Sequence, residues 1–326
     1  MRLLVTGGLG YVGSFTARAL AGAGHDVVIL DNLSTGHRGA AGALPVVAGD
    51  CRDVATVSGL LEHRRIEAVL HFAGLSEVGA SALDPAGYYA ANVGGILGLL
   101  QAMRLSGVPQ LVFSSSAAVY GEPRQQPIPE DAPIAPVNPY GRSKAMAERI
   151  LEDAAGAGQV RAVCLRYFNA AGASKDGRWG EDHRPESHLV PRVLKAILDG
   201  TPVTVYGGDY PTPDGTAVRD YIHVEDLAQA HLRALELLTR QPFSALNLGT
   251  GQGHSVREIL QAAQSVTGKP IRIEQGPRRK GDPAVLVASP DAFRSKLGWE
   301  PSCSEINEII ESAYRWHSSF NMETKA

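Results

Sequence analysis

The chain has 326 residues, 44% hydrophobic and 20% charged, with a formal net charge of −3; that suits one elaborated α/β unit or two moderate ones, and no basic surface suggests nucleic acid as a partner. Cys51, Cys164 and Cys303 lie far apart with no Cys-x-x-Cys pair, which fits a reducing compartment and no zinc ribbon. No apolar run nears the roughly 20 residues of a membrane span, and the first strand pattern starts at Arg2, so the expectation is a cytoplasmic protein with no membrane or targeting segment.

Branched apolar runs predict strands at Arg2–Thr6, Asp26–Asp31, Pro45–Ala48, Ala68–Phe72, Gln110–Ser114 and Arg161–Arg166. Helical periodicity predicts helices near Tyr11–Ala21, Val54–Arg64, Tyr88–Ser106 and Pro139–Ala155. Near-continuous apolar strands joined by helical crossovers give an α/β doubly wound parallel sheet, covered on both faces. The segment Glu122–Pro136 holds five prolines and reads as a rigid surface connection. Past Asn169 the pattern changes, with glycine, proline and charge frequent across Ala170–Pro185. Further helices are expected at His188–Leu198, Glu225–Thr239 and Val256–Val266, and short strands at Val203–Tyr206, Ala245–Leu248 and Val285–Val287.

Thr6-Gly7-Gly8-Leu9-Gly10-Tyr11-Val12-Gly13 follows the first strand and opens a helix. Gly7 suits a tight turn, Gly10 a close approach to a pyrophosphate, and Gly13 the packing of helix on strand, with the helix N-terminus offering free N–H groups to phosphate. The second strand ends in Asp31, eighteen residues after Gly13. A carboxylate there accepts from both ribose hydroxyls and repels a 2′-phosphate, which selects NAD over NADP. The plainer alternative is an Asp that only caps the next turn with Asn32, and His37 and Arg38 nearby are a small counter-argument. Asp50 ends the third strand, placed to meet the adenine amino group. Phe72-Ala73-Gly74 ends the fourth, where small residues let backbone line a cofactor or simply pack.

Tyr140-Gly-Arg-Ser-Lys144 follows Asn138-Pro139, which reads as N-cap and first helical residue. Tyr140 and Lys144 then share one helix face. A phenol is a poor base near its ordinary pKa of about 10, and a cation one turn away favours its anion. Ser114-Ser115-Ser116 ends the fifth strand, at the sheet edge where ligands bind. Ser116 can hydrogen-bond the oxygen that Tyr140 deprotonates, although three serines are also a turn signal.

These stretches, with Tyr167-Phe168-Asn169, Arg219-Asp220-Tyr221-Ile222-His223 and Arg278-Arg279-Lys280-Gly281-Asp282, make the chain resemble the extended short-chain dehydrogenase/reductase family from end to end. Within it, the similarity is to the UDP-glucose (UDP-galactose) 4-epimerases. The resemblance implies a Rossmann domain over residues 1–169 that holds NAD, part of 216–250 returning to it, and a substrate domain over 170–326. It implies Ser116, Tyr140 and Lys144 as catalytic residues, Lys144 also holding the nicotinamide ribose and lowering the Tyr140 pKa. The implied cofactor set adds Tyr11, Val12, Asn32, Cys51, Asn92 and Tyr167 to Gly7, Gly10, Gly13, Asp31, Asp50 and Phe72-Ala73-Gly74. The implied UDP-sugar set adds Asn169 on the diphosphate, Arg219 and Arg279 on its phosphates, Asp282 on the uridine ribose, Leu189 and Tyr206 beside uracil, and His188.

The implied reaction is reversible C4 epimerisation of a UDP-hexose through a 4-keto intermediate, in a homodimer built on the Tyr88–Ser106 and Pro139–Ala155 helices. The tyrosine takes and returns the proton of the 4-hydroxyl. A dehydratase would need an acid–base pair after Ser116, where Ala117-Ala118 stand. UDP-N-acetylhexosamine or UDP-pentose epimerisation, and a non-catalytic NAD sensor or scaffold, are the other readings. Three positions depart from well-known members: Ser76 in place of a cofactor-contacting lysine, Ser187-His188-Leu189 in place of Asn-Asn-Leu, and Leu286, intermediate between a bulky tyrosine and a smaller residue. Arg278-Arg279-Lys280 alone could be a solvated turn, and Glu225-Asp226 a helix start. His223 is assigned no role, and His183 and His188 have spacings that suit no familiar metal motif.

Overall fold

The computed structural model describes residues 1–279 and 282–323. Its first strand, β1 (Arg2–Thr6), buries Leu3, Leu4 and Val5 completely, as expected of a strand covered on both faces. The order continues α1 (Tyr11–Gly22), β2 (Asp26–Asp31), β3 (Val46–Ala48), α2 (Val54–His63), β4 (Ala68–His71), α3 (Val78–Leu83), α4 (Pro85–Leu105), β5 (Gln110–Ser116), α5 (Pro139–Gly156) and β6 (Arg161–Tyr167). The second half adds β7 (Asn169–Ala171), α6 (Leu189–Asp199), β8 (Val203–Tyr206), β9 (Val218–His223), α7 (Val224–Leu237), β10 (Phe243–Leu248), β11 (Gly253–Ser255), α8 (Val256–Thr267), β12 (Ile273–Gly276), β13 (Val285–Leu286), α9 (Asp291–Leu297) and α10 (Ile306–Glu323).

Seven parallel strands form the main sheet in the order β10-β6-β5-β4-β1-β2-β3. The direction of winding reverses between β1 and β4, so a crevice opens there at the carboxyl ends of the strands. One apolar layer joins the sheet to α1 and α7 through Leu20, Leu227 and Ala230; the other joins it to α2, α4 and α5 through Leu61, Leu99 and Leu151. A smaller layer sits beyond the crevice. There β9 pairs with β7, β11 and β13, and β8 with β12. Its core packs Leu194, Leu260 and Ile310 from α6, α8 and α10.

Several boundaries move for local reasons. Helix α4 starts at Pro85, not Tyr88, because the Asp84 carboxylate accepts from Gly87 N at 3.0 Å and Pro85 occupies the first turn. Strand β5 runs on to Ser116, since Ser115 and Ser116 pair with Arg166 and Tyr167 of β6. Strand β9 was hidden by its charges: Asp220 is fully buried, yet it accepts from Thr250 N, Gly251 N and Ala288 N at 2.9–3.1 Å. The Glu122–Pro136 segment is not merely a surface connection. Ile128 is fully buried and bonded to both Val287 and Ser289, tying the segment to the strand end beyond β13.

Candidate active site

The glycine-rich turn lies at the end of β1, facing the crevice. Gly7 has φ +68°, and a Cβ there would fall 2.4 Å from Ala73 N; one at Gly13 would fall 2.3 Å from Gly7 O. Those two glycines are needed by the protein's own packing. Gly10 differs, because a Cβ there would meet nothing closer than Gly7 O at 3.4 Å. Its open side faces the cavity. No side chain caps α1 at Gly10, so the first-turn N–H groups of Tyr11, Val12 and Gly13 are left for an anion.

Asp31 makes the capping bonds of the plainer alternative and keeps a face to the cleft. It is nearly buried, and its two oxygens accept from Leu9 N at 3.0 Å and Leu33 N at 2.8 Å. A carboxylate has about four acceptor positions, so two remain for ribose hydroxyls. Asp50 is less free than expected: the Arg52 side chain grips it at 2.7 and 2.8 Å, Arg52 N donates to it at 2.9 Å, and Asn32 Nδ2 adds a fourth bond at 3.2 Å. These charged bonds hold its carboxyl far below the usual range. An adenine contact would have to share an acceptor that Arg52 already uses. Asp31, Asn32, Asp50, Cys51, Phe72, Ala73 and Gly74 line one cavity of about 120 Å³. Asn92 stands behind it: it exchanges bonds with Leu75 N and Leu75 O at 2.8 and 3.0 Å and donates to Ser143 Oγ at 2.8 Å, fastening the loop after β4 to α5.

Helix α5 begins as expected, with Asn138 accepting from Gly141 N at 2.8 Å and Pro139 in the first turn. Tyr140 and Lys144 are 8% and 5% exposed. The Lys144 ammonium donates to Ser114 O at 2.7 Å and lies 4.8 Å from the Phe113 ring centre. Ser114 Oγ shares a 2.7 Å hydrogen bond with the Tyr167 hydroxyl. Burial raises the Tyr140 phenol above its ordinary pKa; Tyr167 adds to this, and a hydrogen bond from Ser116 opposes it. The expectation that Lys144 draws the phenol down is therefore not met within the protein alone. Its Nζ sits 6.0 Å from the Tyr140 ring centre, and burial sets the direction. Lys144 is itself pushed down to about 8 by burial, against the pull of Glu148.

Sequence reasoning missed a buried polar set behind this group. Glu148 lies one turn beyond Lys144 on α5. It accepts from Ser115 Oγ and takes three contacts from Arg166 at 2.7–3.1 Å. Arg166 also donates to Tyr120 OH at 2.8 Å, and Tyr120 to Asn247 Oδ1 at 2.7 Å. The repeat of an acid at i+4 from Lys144 was the available signal.

A second cavity of about 380 Å³ shares Gly7, Gly10, Thr35, Phe72 and Gly74 with the first, so the two form one cleft. Ser116, Tyr140, Lys144, Tyr167, Asn169, His188, Arg219 and Asp282 line it, with Ser76 and Leu286 among the other wall residues. Leu189, Tyr206 and Arg279 do not. Leu189 packs into the α6 layer, and the Arg279 guanidinium stacks 4.2 Å from the Tyr206 ring centre. Arg219 and Asp282 are ion-paired to each other, with Arg219 also donating to Val218 O and Pro283 O at 2.7 Å. Lys280 and Gly281 lie outside the described residues. His223 caps α7, accepting from Glu225 N at 3.1 Å, and Asp226 binds the chain at Ser302–Ser304. Glu181 and His183 were not among the expected site residues, yet they stand in the cavity wall.

Residues 3–249 match the NAD dependent epimerase/dehydratase family. The UDP-glucose 4-epimerase of Lacticaseibacillus casei is 48% identical over 322 residues, 98% of this chain and 97% of that protein. The crystal structure of UDP-glucose 4-epimerase from Brucella ovis in complex with NAD is 47% identical, covers 96% of this chain and 97% of its own, and superposes with a TM-score of 0.93. That from Bifidobacterium longum, in complex with NAD+ and UDP, is 38% identical over 98% of each chain, also with a TM-score of 0.93. With a parallel sheet, a cleft at its carboxyl edge lined by the glycine-rich turn, and these likenesses over nearly its whole length, the chain belongs to the NAD dependent epimerase/dehydratase family.

Proposed function

We propose that this protein interconverts UDP-glucose and UDP-galactose by inverting C4, with NAD retained through the cycle. The observation that carries the reading is the meeting of Ser116, Tyr140 and Lys144 in a cavity that also holds Asn169, Arg219 and Asp282 and opens into the glycine-rich cleft. NAD fits that cleft: Gly10 leaves an open side, the α1 terminus is uncapped, and Asp31 keeps acceptor capacity for the ribose. When bound, NAD supplies reversible hydride exchange at the sugar carbon, and its nicotinamide cation favours the Tyr140 phenolate.

The chain's own residues do the rest. Tyr140, with Ser116 beside it in the cavity wall, takes the proton of the 4-hydroxyl as C4 is oxidised and returns it when the ketone is reduced from the other face. Lys144, fixed on Ser114 O, would hold the nicotinamide ribose. Arg219, ion-paired to Asp282 in the cavity wall, would offer the diphosphate a charge-assisted contact, while the sugar beyond it stays free to turn over. Ala117 and Ala118 follow Ser116 in the cavity wall and offer no acid–base pair for dehydration. Leu286, also in that wall, borders the space an N-acetyl group would need.

Two copies pair through α4 and α5, where Leu97, Leu105 and Met146 are exposed. A cytoplasmic setting accompanies the reading, since Cys51, Cys164 and Cys303 are all free and buried; among the described residues no helix is long and apolar enough to cross a membrane. The test is incubation with UDP-galactose and a panel of UDP-N-acetylgalactosamine and UDP-pentoses, read by chromatography. Formation of UDP-glucose is expected; conversion of none of these would end the proposal.

A further inference from the structure

The segment between β7 and α6 brings Glu181, His183, Glu186 and His188 to one point. One ligand atom from each lies within 4.8 Å of every other. His183 Nδ1 and His188 Nδ1 stand 2.9 and 2.6 Å from the same oxygen, Glu181 Oε1, and His188 Nδ1 stands 3.4 Å from Glu186 Oε1. The spacing Glu-x-His-x-x-Glu-x-His matches no familiar metal motif, so only the fold reveals the cluster.

The geometry points to a four-coordinate site for a divalent transition cation of the zinc class, built from Glu181, His183, Glu186 and His188. Two imidazoles and two carboxylates are a donor set for Zn2+ and its neighbours, not for Mg2+ or Ca2+, which take oxygen. Tetrahedral ligands at about 2.0–2.2 Å from a metal lie about 3.4 Å apart; the observed separations of 2.6–3.4 Å and the 4.8 Å bound on the whole set bracket that value. The backbone and one ring of the cluster are held by neighbours. Trp316 Nε1 donates to Glu181 O at 3.0 Å, and a Cβ at Gly180 would fall 2.3 Å from that indole, so the backbone at Glu181 is pinned. The His183 ring meets the Tyr11 ring edge-on at 6.4 Å, and Tyr11 OH donates to Gly172 O at 2.7 Å.

An entry path exists as well. Glu181 is 3% exposed, but Glu181, His183 and His188 line the larger cavity, and the His188 side chain is 47% exposed. The other mixed group, His223, Glu225 and Cys303, is different: both His223 nitrogens are spent, on Glu225 N and Ser312 Oγ. A bound cation would clip the cavity wall to the first turn of α6.

Two ion-paired hydrogen bonds onto Glu181 account for the same packing with no metal, and the experiment separates the two. Untagged full-length protein is stripped with chelator and titrated with Co2+, then Zn2+, with no nucleotide sugar added. The expected result is one Co2+ per chain with the intense visible bands of four-coordination, displaced by one Zn2+ per chain. Glu181→Gln should weaken binding at least tenfold. Should that variant fail to fold, His188→Gln, at an exposed side chain, reads the same loss. Wild-type binding no tighter than that of the variants, or a weak six-coordinate spectrum, overturns the site. Because turnover is not measured, either outcome leaves the epimerase reading untouched.

Discussion

Lys144 and Ser114 join the catalytic helix to the end of the fifth strand: the lysine ammonium donates to the Ser114 carbonyl at 2.7 Å, with 5% of the residue exposed. A buried ammonium with one carbonyl partner is poorly solvated. Its position beside Tyr140 is therefore held at a cost to stability.

That cost has a pH signature. Folding lowers the Lys144 pKa from 10.5 to about 8. Between those values the unfolded chain binds the extra proton, so stability rises with pH across this window. The penalty is whole below about 8 and gone above 10.5. In cofactor-stripped protein, Lys144→Met should raise stability near pH 7 by on the order of 3 kcal/mol, at roughly 1.4 kcal/mol per pKa unit. The gain should shrink as pH rises toward 10.5. Denaturant unfolding at several pH values measures it; a gain independent of pH would refute the assignment.

Tyr140→Phe removes the hydroxyl that exchanges a proton with the sugar. Turnover should fall by about 10²–10⁴-fold, while bound NAD, assayed after acid release, stays at the wild-type level. Near-normal turnover would remove Tyr140 from its role.

Asp31 meets both the glycine-rich turn and the open cleft. Asp31→Ala should loosen discrimination between NAD and NADP and also lower thermal stability, since Leu9 N and Leu33 N lose their acceptor. Unchanged cofactor selectivity, measured by competition for the stripped protein, would leave Asp31 only its capping role.

Glu148 and Arg166 are 5% and 6% exposed. Glu148→Gln leaves a buried guanidinium without its counter-charge, and unfolding should become easier by about 3–5 kcal/mol. Replacing both by apolar residues of similar size should cost less than the single change, because no lone charge is then buried. A double variant as unstable as the sum of the singles would contradict this.

The sheet was legible because its strands are short, continuous apolar runs, and β1, β4, β5 and β6 are buried along nearly their whole length, as both-face coverage requires. The glycine spacing, the Asn138-Pro139 cap and the Tyr140–Lys144 offset were likewise local signals. What was hidden is what depends on distant partners. Strand β9 carries Arg219 and Asp220, which read as polar until Thr250, Gly251 and Ala288 supply donors. Ile128 stands among prolines, and only its pairing partner beyond β13 explains its burial. The direction of the Tyr140 shift was also out of reach, because helical spacing places the lysine charge but says nothing about burial. Leu189, Tyr206 and Arg279 were placed at the site by resemblance; here Leu189 packs on the core of the smaller layer, and Tyr206 and Arg279 stack on each other.

The most direct test of the account follows the atom that moves. UDP-galactose carrying deuterium at C4 is incubated with the protein as purified, with no added cofactor, and the UDP-glucose formed is examined by NMR. The account predicts deuterium retained at C4 with inverted configuration, because the same carbon gives up its hydride and takes it back within one bound complex. Loss of the label to water, or UDP-glucose with hydrogen at C4, would contradict it.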